Sequence, residues 1–311
     1  MAEDEPTKRE GGLTPVVRRR IESSAAIQEA ATERIAYQHT VLCQTALPYR
    51  DPGDTVREWE RQQGAVALKV NAGEARDPQT RRFVKLGLPY GSRPRLILAH
   101  LNREALLRQS PEIEVENSLT AFVRRVQQSG PNGKEIRRFK DQMARLSVAL
   151  VRLAYDASNE HAYQIDTKII VALDLWSRTH EGQRVLWPSV VRLSQEYFDS
   201  LSSHAVPLDE RAIAALANSA LALDVYAWLA QRLHRIPKGK PQRLSWPSLH
   251  EQFGQGYHHL RQFRAAFLKV LADVRAQYPA ARVEVDEAGL TLRNSLPPVV
   301  SRLVPVGRFV E

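Results

Sequence analysis

The chain contains a single cysteine and no long apolar run. With Cys43 alone, an internal disulfide and a cysteine-based zinc cluster are excluded, and we expect a buried or inert thiol. No stretch approaches the ~18 consecutive apolar residues that a membrane-spanning helix needs. The first residues are acidic and no apolar stretch follows them, unlike a secretory signal. These absences predict a soluble, cytoplasmic protein with no membrane partner.

Residue patterns of the common catalytic sites are also missing. We find no carboxylate pair and no Ser–His–Asp set in the sequence. Tyr257-His258-His259 has the residue types of a metal-dependent nicking enzyme, but two metal-binding histidines on a strand must be separated by one residue to face the same side. These two are adjacent at a predicted helix start and would diverge. We therefore predict a protein that is not an enzyme and that has no cofactor and no metal.

Positive charge is what the chain has in excess. It contains 44 Lys and Arg against 35 Asp and Glu, a formal net charge of +9 over 311 residues. This length suffices for two or three domains. A basic balance favours a polyanionic partner, most often nucleic acid. A basic surface that binds nothing would give the same composition, so the position of the charge must decide.

One order of elements occurs twice, about 125 residues apart. In the first copy, periodicity predicts a helix from Pro94 to about Arg108, a short strand at Ile113–Val115, a short helix capped by Asn117, a turn, and a long helix from Lys134 to about Tyr155. In the second copy the corresponding elements are a helix at 221–233, a strand at 243–246, a helix from Pro247, a turn at 254–256, a helix from about His258 to Gln277, and a hairpin at 281–293.

Helix, strand, helix, turn, helix and hairpin is the order of a winged helix. We therefore predict a helix-rich α+β fold with two tandem winged-helix domains and β-hairpin wings. The predicted boundaries are 1–45 for a disordered start and an N-terminal helix from about Val16 to Thr45, 46–205 for the first domain, 206–296 for the second, and 297–311 for a C-terminal tail. A further strand is predicted at Ala65–Val70.

The turn before the first long helix ends in Gly133-Lys134 and resembles a phosphate-binding loop. A P-loop needs four residues between its glycines and a Ser or Thr after the lysine. Here two residues separate Gly130 from Gly133, and Glu135 replaces the hydroxyl. The second copy has Gly-Gln-Gly at this place without a lysine. We interpret the segment as a turn between two helices.

Each long helix combines an apolar face with a basic outer face. A recognition helix needs this division, because one face is anchored in the core while the other carries donors that reach bases and phosphates. A solvated charged face is the alternative for either helix. The predicted DNA-binding residues are Lys134, Arg137, Arg138, Lys140 and Arg145 in the first copy, and His258, Arg261, Arg264 and Lys269 in the second.

A loop before the second copy's strand carries another basic cluster. Two prolines interrupt it, and it is either a phosphate-contacting or a solvated loop. Its predicted DNA-binding residues are Arg235, Lys238, Lys240 and Arg243. Arg293, beside the hairpin, could reach a neighbouring minor groove as wings do. The tryptophans are expected in the core rather than as base-stacking platforms.

Four phrases together resemble the plasmid RepA-type replication initiators of bacteria: Gly87–Leu101, Pro207–Ala212, Leu221–Leu229 and Tyr278–Leu292. The resemblance covers about Ala46 to Pro297. It implies a protein that binds repeated sequences in double-stranded DNA at a plasmid origin, promotes duplex opening, and recruits host helicase and initiation proteins. Related initiators have two winged helices and often switch between an initiating monomer and a homodimer that represses its own promoter, which links them to copy control.

Two other functions fit parts of the sequence. A winged-helix transcriptional regulator without initiator activity would have the same fold and the same basic helices. A nicking or nucleotide-hydrolysing replication protein is the alternative from the enzyme class. The resemblance transfers no catalytic residue to this chain.

Overall fold

A computed structural model describes residues 14–30, 34–77, 80–115, 119–127, 130, 132–158, 161–172 and 190–299. Helices and strands are mixed along the chain, which confirms the α+β class. The helices are α1 (Pro15–Glu29), α2 (Thr40–Gln44), α3 (Ser92–Arg108), α4 (Leu119–Gln127), α5 (Gly133–Val148), α6 (Gln195–His204), α7 (Glu210–Leu216), α8 (Ala220–Arg232), α9 (Trp246–Phe253) and α10 (Leu260–Gln277), with a 3-10 turn at Leu233–Arg235.

The strands form five small antiparallel sheets. They are β1 (Ile35–His39), β2 (Glu58–Gln63), β3 (Val66–Asn71), β4 (Glu74–Arg76), β5 (Phe83–Lys85), β6 (Glu112–Glu114), β7 (Leu150–Ser158), β8 (His161–Thr167), β9 (Ile170–Ala172), β10 (Val190–Leu193), β11 (Ala205–Asp209), β12 (Gln242–Ser245), β13 (Val283–Val285) and β14 (Gly289–Leu292). The sheet orders are β1-β11, β2-β3-β7-β8, β4-β5, β6-β10-β9 and β12-β14-β13. The strand predicted at Ala65–Val70 is confirmed as β3.

The repeat predicted from the sequence is present in the structure. Both copies run helix, strand, helix, helix: α3-β6-α4-α5 and α8-β12-α9-α10. Each copy also has a three-stranded sheet in which its first strand pairs with its last. Phe139 on α5 and Phe263 on α10 occupy matching positions, and both are almost completely buried. The first copy differs because β7 and β8 are inserted between its last helix and its second sheet strand.

The first long helix is shorter than predicted. Asn132 caps it by accepting a hydrogen bond from the Glu135 amide at 3.0 Å, but α5 ends at Val148. From Leu150 the chain becomes β7, where Val151 and Leu153 are buried and Arg152 between them reaches Asp166 on β8. Apolar residues at every second position favour a strand. From Leu150 this alternation replaces the helical spacing, which was predicted to continue to Tyr155.

The prediction of one helix from Val16 to Thr45 is wrong. The side chain of Thr14 caps α1, which ends at Glu29. Ile35–His39 is the fully buried strand β1, and it pairs antiparallel with β11. A buried five-residue segment can satisfy its backbone in a helix or in a β-ladder, and the partner strand about 170 residues later in the chain decides this case. The predicted disordered residues 1–13 lie outside the described residues.

The core continues through both copies. Cys43 is a buried free cysteine, and burial raises the pKa of its thiol. Trp228 and Trp246 are buried as predicted, and Trp59 is half-buried with its indole N–H donating to the Ala46 carbonyl at 2.7 Å. Trp176 and Trp187 lie outside the described residues. Among the helices that the structure describes, none is long and apolar enough to cross a membrane.

A buried ion pair joins the first helices of the two copies. The guanidinium of Arg95 on α3 binds both carboxylate oxygens of Asp224 on α8 at 2.6 and 2.7 Å. Arg95 also donates to the Gly91 carbonyl at 2.6 Å and to the Leu47 carbonyl at 2.9 Å. The two charged side chains are 5% and 8% exposed. One arginine therefore holds together two helices and a loop.

A second buried polar site lies where β1 meets α6. The His39 imidazole accepts from the Val41 amide at 3.2 Å, so its other nitrogen donates to the Ser200 hydroxyl at 3.0 Å. Both contacts require the neutral ring. Burial, and then the neighbouring His204, lower the pKa of His39 to about 3. Burial likewise lowers the pKa of His100 to about 4.

Replacing Asp224 by Asn should destabilise the fold strongly, because Arg95 would keep a buried charge without its counter-ion. We expect a loss of about 3–5 kcal/mol in the free energy of unfolding, measured by urea denaturation. Asp273→Asn is the matched control, since the Asp273 carboxylate bridges Arg20 at 2.5 Å but is 34% exposed. Its cost should stay near ~1 kcal/mol or below. Equal losses in the two variants would contradict the role of the buried pair.

Acidification should destabilise the protein before its carboxylates titrate. The unfolded chain binds protons at His39 and His100 near pH 6.5, whereas the folded protein excludes them until about pH 3 and about pH 4. The stability present above pH 6.5 is therefore lost as the pH falls through this window. We expect His39 alone to contribute a loss of about 2 kcal/mol between pH 7 and 5. In urea unfolding, His39→Asn should reduce the loss of unfolding free energy between pH 7 and 5 by that amount. The control His258→Asn, at an exposed position, should leave this pH dependence unchanged.

Candidate nucleic-acid interface

Helix α10 has one face in the core and its N-terminal outer face in solvent. Phe263 and Phe267 are fully buried, and Arg261 and Lys269 on the outside are exposed. His258 is exposed in the turn that precedes the helix. The helix thus presents basic side chains along its first three turns from a rigidly packed base. This arrangement confirms the division into an apolar and a basic face that the sequence predicted.

The turn before α10 is fixed by its glycines and by a neighbouring loop. Gly256 has φ +77°, a conformation that favours glycine, and a Cβ on Gly254 would overlap the His250 ring and carbonyl. The Gln255 side-chain oxygen accepts from the Tyr49 amide at 3.2 Å. This contact docks the turn on the loop whose Leu47 carbonyl binds Arg95. The start of α10 is therefore tied to the first copy.

Arg264 is held rather than freely solvated. Its guanidinium lies 5.0 Å from the centre of the Trp246 ring and donates to the Asp286 carbonyl at 3.4 Å. The Asp286 side chain closes the β13–β14 turn by accepting from the Ala288 and Gly289 amides, both at 2.8 Å. The second turn of α10 and the tip of the hairpin are therefore neighbours, and Arg264 is oriented between them.

Arg243 belongs to the same region. It is exposed on β12 opposite Thr291, and it lines a concavity together with Ser245, Ser248 and Asp286. We name this group the helix surface, and it consists of Arg243, His258, Arg261, Arg264 and Lys269.

The other predicted residues of the second copy lie at the opposite end of the sheet. The β12–β14 ladder runs from Ser245↔Gly289 near the hairpin tip to Gln242↔Leu292 beside the basic loop, a distance of ~10 Å. Lys238 and Lys240 line a second concavity there with Arg282 and Arg293. We name this group, with the exposed Arg235, the loop surface. The sequence predicted the loop residues as a cluster of their own, but it counted Arg243 among them.

Arg293 does not lie where a wing contact was expected. It follows β14 at the open end of the hairpin, and its guanidinium binds the Glu284 carboxylate at 2.7 and 3.0 Å. The hairpin turn is at 286–288. Arg293 therefore faces the loop surface, partly neutralised, rather than the tip.

In the first copy, Lys134, Arg137, Arg138 and Lys140 are exposed on α5. Arg138 bridges Glu135 at 3.0 Å, and Glu135 also binds Arg93 at 2.6 Å. The outer face of α5 is thus mostly basic like that of α10, and the two carboxylates of the helix, Glu135 and Asp141, are both paired with arginines.

Arg145 is used inside the fold. Its side chain is 12% exposed and pairs with Asp141 at 3.1 Å and Asp51 at 3.6 Å. It donates to the Leu88 carbonyl at 3.2 Å, and a Cβ on Gly87 would overlap its guanidinium. Arg145 therefore fastens the 87–90 segment to α5, and it does not join the exposed basic residues at the start of the helix.

Sequence reasoning missed several exposed basic residues. Arg124 and Arg125 occupy the last turn of α4, which packs against α5. Arg282 joins the loop surface. The signal that could have found Arg124 and Arg125 is two adjacent basic residues in the last turn of a helix, but the helix dipole favours positive charge there for purely structural reasons.

The arrangement suits binding to a polyanion. Exposed guanidinium and ammonium groups donate hydrogen bonds to phosphates and base edges. Over the described part of the chain, no group of three or more His, Cys, Asp or Glu is placed to hold a metal ion.

Comparison with known proteins adds a family and a fold. The model of a family described as plasmid-encoded RepA protein matches residues 88–248, just over half of the chain. A selenomethionine crystal structure of domains 2 and 3 of RctB superposes with a TM-score of 0.52 at 8% identity, covering 81% of this chain and 96% of that one. A second structure of RctB domains 2–3 gives a TM-score of 0.49 at 10% identity over 81% and 94%. No curated protein sequence matches the chain.

At 8% identity the RctB structure shows a shared fold and transfers no residue role. The family match begins at Leu88, in the segment that Arg145 holds, and ends in α9. It therefore spans the first copy and the junction with the second.

Arg145 and Arg137 should differ in what they do for stability. Arg145→Ala removes two ion pairs and a backbone contact from a mostly buried site, and we expect a loss of about 1–3 kcal/mol in urea unfolding. Arg137→Ala, on the exposed face of the same helix, should stay within about 0.5 kcal/mol of the native protein. A larger loss from Arg137→Ala than from Arg145→Ala would refute this division of roles.

Proposed function

The chain belongs to the family of plasmid-encoded RepA proteins, and on that premise we propose that it initiates plasmid replication. In this proposal the protein binds repeated sequences in double-stranded DNA at a plasmid origin, promotes opening of the duplex, and recruits host helicase and initiation proteins. The observation that carries the proposal is the repeated unit, which twice presents a basic N-terminal helix face from a buried base.

We propose that each copy is a winged helix. In support, both copies have the order helix, strand, helix, helix and a sheet in which the first strand pairs with the last. On this assignment α5 and α10 are the recognition helices and the hairpins β9–β10 and β13–β14 are the wings. The predicted domains, 46–205 and 206–296, then share a continuous core. Strand β1, which precedes both, pairs with β11 at the boundary between them.

In the second domain, Arg261 and Arg264 are the proposed base or phosphate contacts. An arginine can donate two parallel hydrogen bonds to guanine O6 and N7 in the major groove. Arg264 is partly oriented in advance by Trp246 and Asp286, which reduces the conformational entropy lost on binding. His258, Lys269 and Arg243 on the same surface are suited to phosphates.

In the first domain, Lys134, Arg137, Arg138 and Lys140 are the proposed contacts, and Arg124 and Arg125 extend the basic surface on α4. The loop surface, with Lys238 and Lys240, is a proposed phosphate contact further along the duplex. Arg145 leaves the proposed set, because Asp51 and Asp141 already bind it in a mostly buried site. Arg293 stays in the set as part of the loop surface, since its pair with Glu284 is exposed.

The proposal assigns no catalytic step, cofactor or metal to this chain. Contacts along repeated sites would supply the free energy that deforms and opens the duplex, since proteins that bend DNA offset the cost of distortion with the extra contacts that the bend permits. A homodimer at the chain's own promoter would supply copy control, and the cytoplasm is the compartment in which a plasmid origin is found.

Arg261→Ala combined with Arg264→Ala should abolish specific binding to the repeats beside the gene while the protein stays folded. We expect a loss of at least ~10²-fold in affinity, since base-contacting arginines each contribute about 1–3 kcal/mol. The measurement is a salt series of binding to the flanking DNA and to random duplex of equal length, because phosphate contacts give a steep dependence on salt.

Arg275→Ala is the matched control. It removes one exposed arginine from the last turn of the same helix, away from the helix surface, and it should leave specific binding unchanged. Native affinity in the double variant would exclude α10 as the reading helix. A second experiment separates an initiator from a transcriptional regulator. The gene and its adjacent DNA are placed on a replicon that lacks its own initiator, and replication is restored only if the protein is an initiator.

A further inference from the structure

A small basic hairpin projects from the first domain and has no place in the proposal above. Its strands are β4 and β5, of which Ala75 alone among the described residues is buried, and none of its residues lies on the predicted recognition helix. Between Glu74 and Lys85 the sequence carries four basic and two acidic side chains. Phe83 is 69% exposed and Val84 is 42% exposed. An exposed phenylalanine among arginines makes the hairpin a candidate binding element.

The hairpin arranges an aromatic ring and basic groups on one face. Arg76 pairs directly with Phe83 across the ladder, and Glu74 with Lys85, so these side chains share a face. Arg81 and Arg82 lie at the tip and are both exposed. On either side of residues 78 and 79, which lie outside the described residues, the Asp77 amide donates to the Arg82 carbonyl at 2.9 Å and the Thr80 hydroxyl donates to Asp77 at 3.1 Å.

The root of the hairpin is rigid and is attached to α5. Arg57 donates to the Ala72 and Gly73 carbonyls at 2.9 and 3.0 Å and to the Leu86 carbonyl at 2.6 Å, which clamps both ends. A Cβ on Gly73 would overlap the Val148 carbonyl, so only glycine allows this close approach to the last residue of α5. The hairpin therefore stands at a fixed place relative to the recognition helix.

Helix length sets the distance to the proposed reading site. The 16 residues of α5 extend ~24 Å at 1.5 Å per residue, and the basic outer face is at the other end. One turn of B-DNA is about 34–36 Å long. With α5 lying along the duplex, a hairpin displaced by about two-thirds of a turn would reach the groove beside the one that α5 occupies.

We propose that the β4–β5 hairpin is a second contact with duplex DNA, in the minor groove that flanks the site of α5. Arg81 and Arg82 bind the backbone at that groove, and Phe83 wedges against a base step and kinks the duplex. This inference rests on the proposed function of α5. Apolar wedges flanked by basic residues are typical of minor-groove proteins that bend DNA, and a local kink would favour duplex opening.

Single-stranded DNA fits the hairpin less well. Single-strand sites place several aromatic rings in a row, so that successive bases stack, and Phe83 is the only aromatic residue between 74 and 85. A protein partner is disfavoured by four basic side chains around one apolar ring. The basic side chains and the single exposed aromatic ring together favour duplex DNA as the ligand of the hairpin.

The test uses the full chain and two duplexes from the DNA beside its gene: one with a single repeat alone, and one extended by a helical turn on each side. A single 2-aminopurine is moved through the extension to report unstacking, and end-labelled DNA reports bending by energy transfer. The native protein should bind the extended duplex about 10-fold more tightly, bend it, and raise 2-aminopurine fluorescence at one step.

Phe83→Ser should remove the bend and the fluorescence signal and most of the 10-fold advantage, leaving binding to the short duplex unchanged. Arg81→Ala with Arg82→Ala should lower the salt slope on the extended duplex by about 1.8, the value for two phosphates. Val84→Ser, the neighbouring strand position on the opposite face of the hairpin, is the matched control and should behave like the native protein.

Three results would overturn the inference. Native bending by Phe83→Ser would exclude a wedge. Equal native affinity for the two duplexes would exclude a flanking contact. Loss of single-strand binding by Phe83→Ser, with duplex binding intact, would assign the hairpin to unwound DNA. Failure of the proposed function looks different, because the native protein would then not distinguish the short repeat from random duplex.

Discussion

The ion pair between Arg95 and Asp224 fixes how the two copies of the repeat are placed. Arg95 lies on α3, which packs against α5, and Asp224 lies on α8, which packs against α10. The same guanidinium binds the Leu47 carbonyl, and the loop that follows, at Tyr49, docks on Gln255 in the turn before α10. The relative position of the two basic helices thus depends on one buried charge and its four hydrogen bonds.

Such a pair is better understood as a device for specific geometry than as a source of stability. Moving two charges out of water costs several kcal/mol each, and their attraction offsets this only when the geometry is good and the remaining donors are satisfied. Here the contacts are bidentate and the other donors reach two carbonyls. An apolar pair would pack the helices in several registers, whereas the planar guanidinium accepts one.

Arginine is used in two distinct ways in this molecule. One group binds carbonyls and carboxylates within the protein and holds loops against neighbouring elements: Arg57, Arg95 and Arg145. Arg137 and Arg261 are exposed on the outer faces of α5 and α10. Net charge counts both groups alike, so the surplus of +9 is a poor measure of binding capacity, and it is the geometry of the second group that supports a DNA interface.

Sequence alone determined the repeat, its order of elements, the buried faces of α5 and α10, and the family resemblance, because period, turn chemistry and apolar spacing are local properties. It misjudged Ile35–His39 and Leu150–Tyr155 as helix, since a strand 170 residues away and an inserted hairpin are invisible to a local pattern. It also grouped Arg243 with the loop residues, and it could not distinguish the mostly buried Arg145 from the exposed Arg137. Those distinctions depend on which carboxylates and carbonyls the folded chain brings within ~3 Å of each guanidinium, and only tertiary structure decides that.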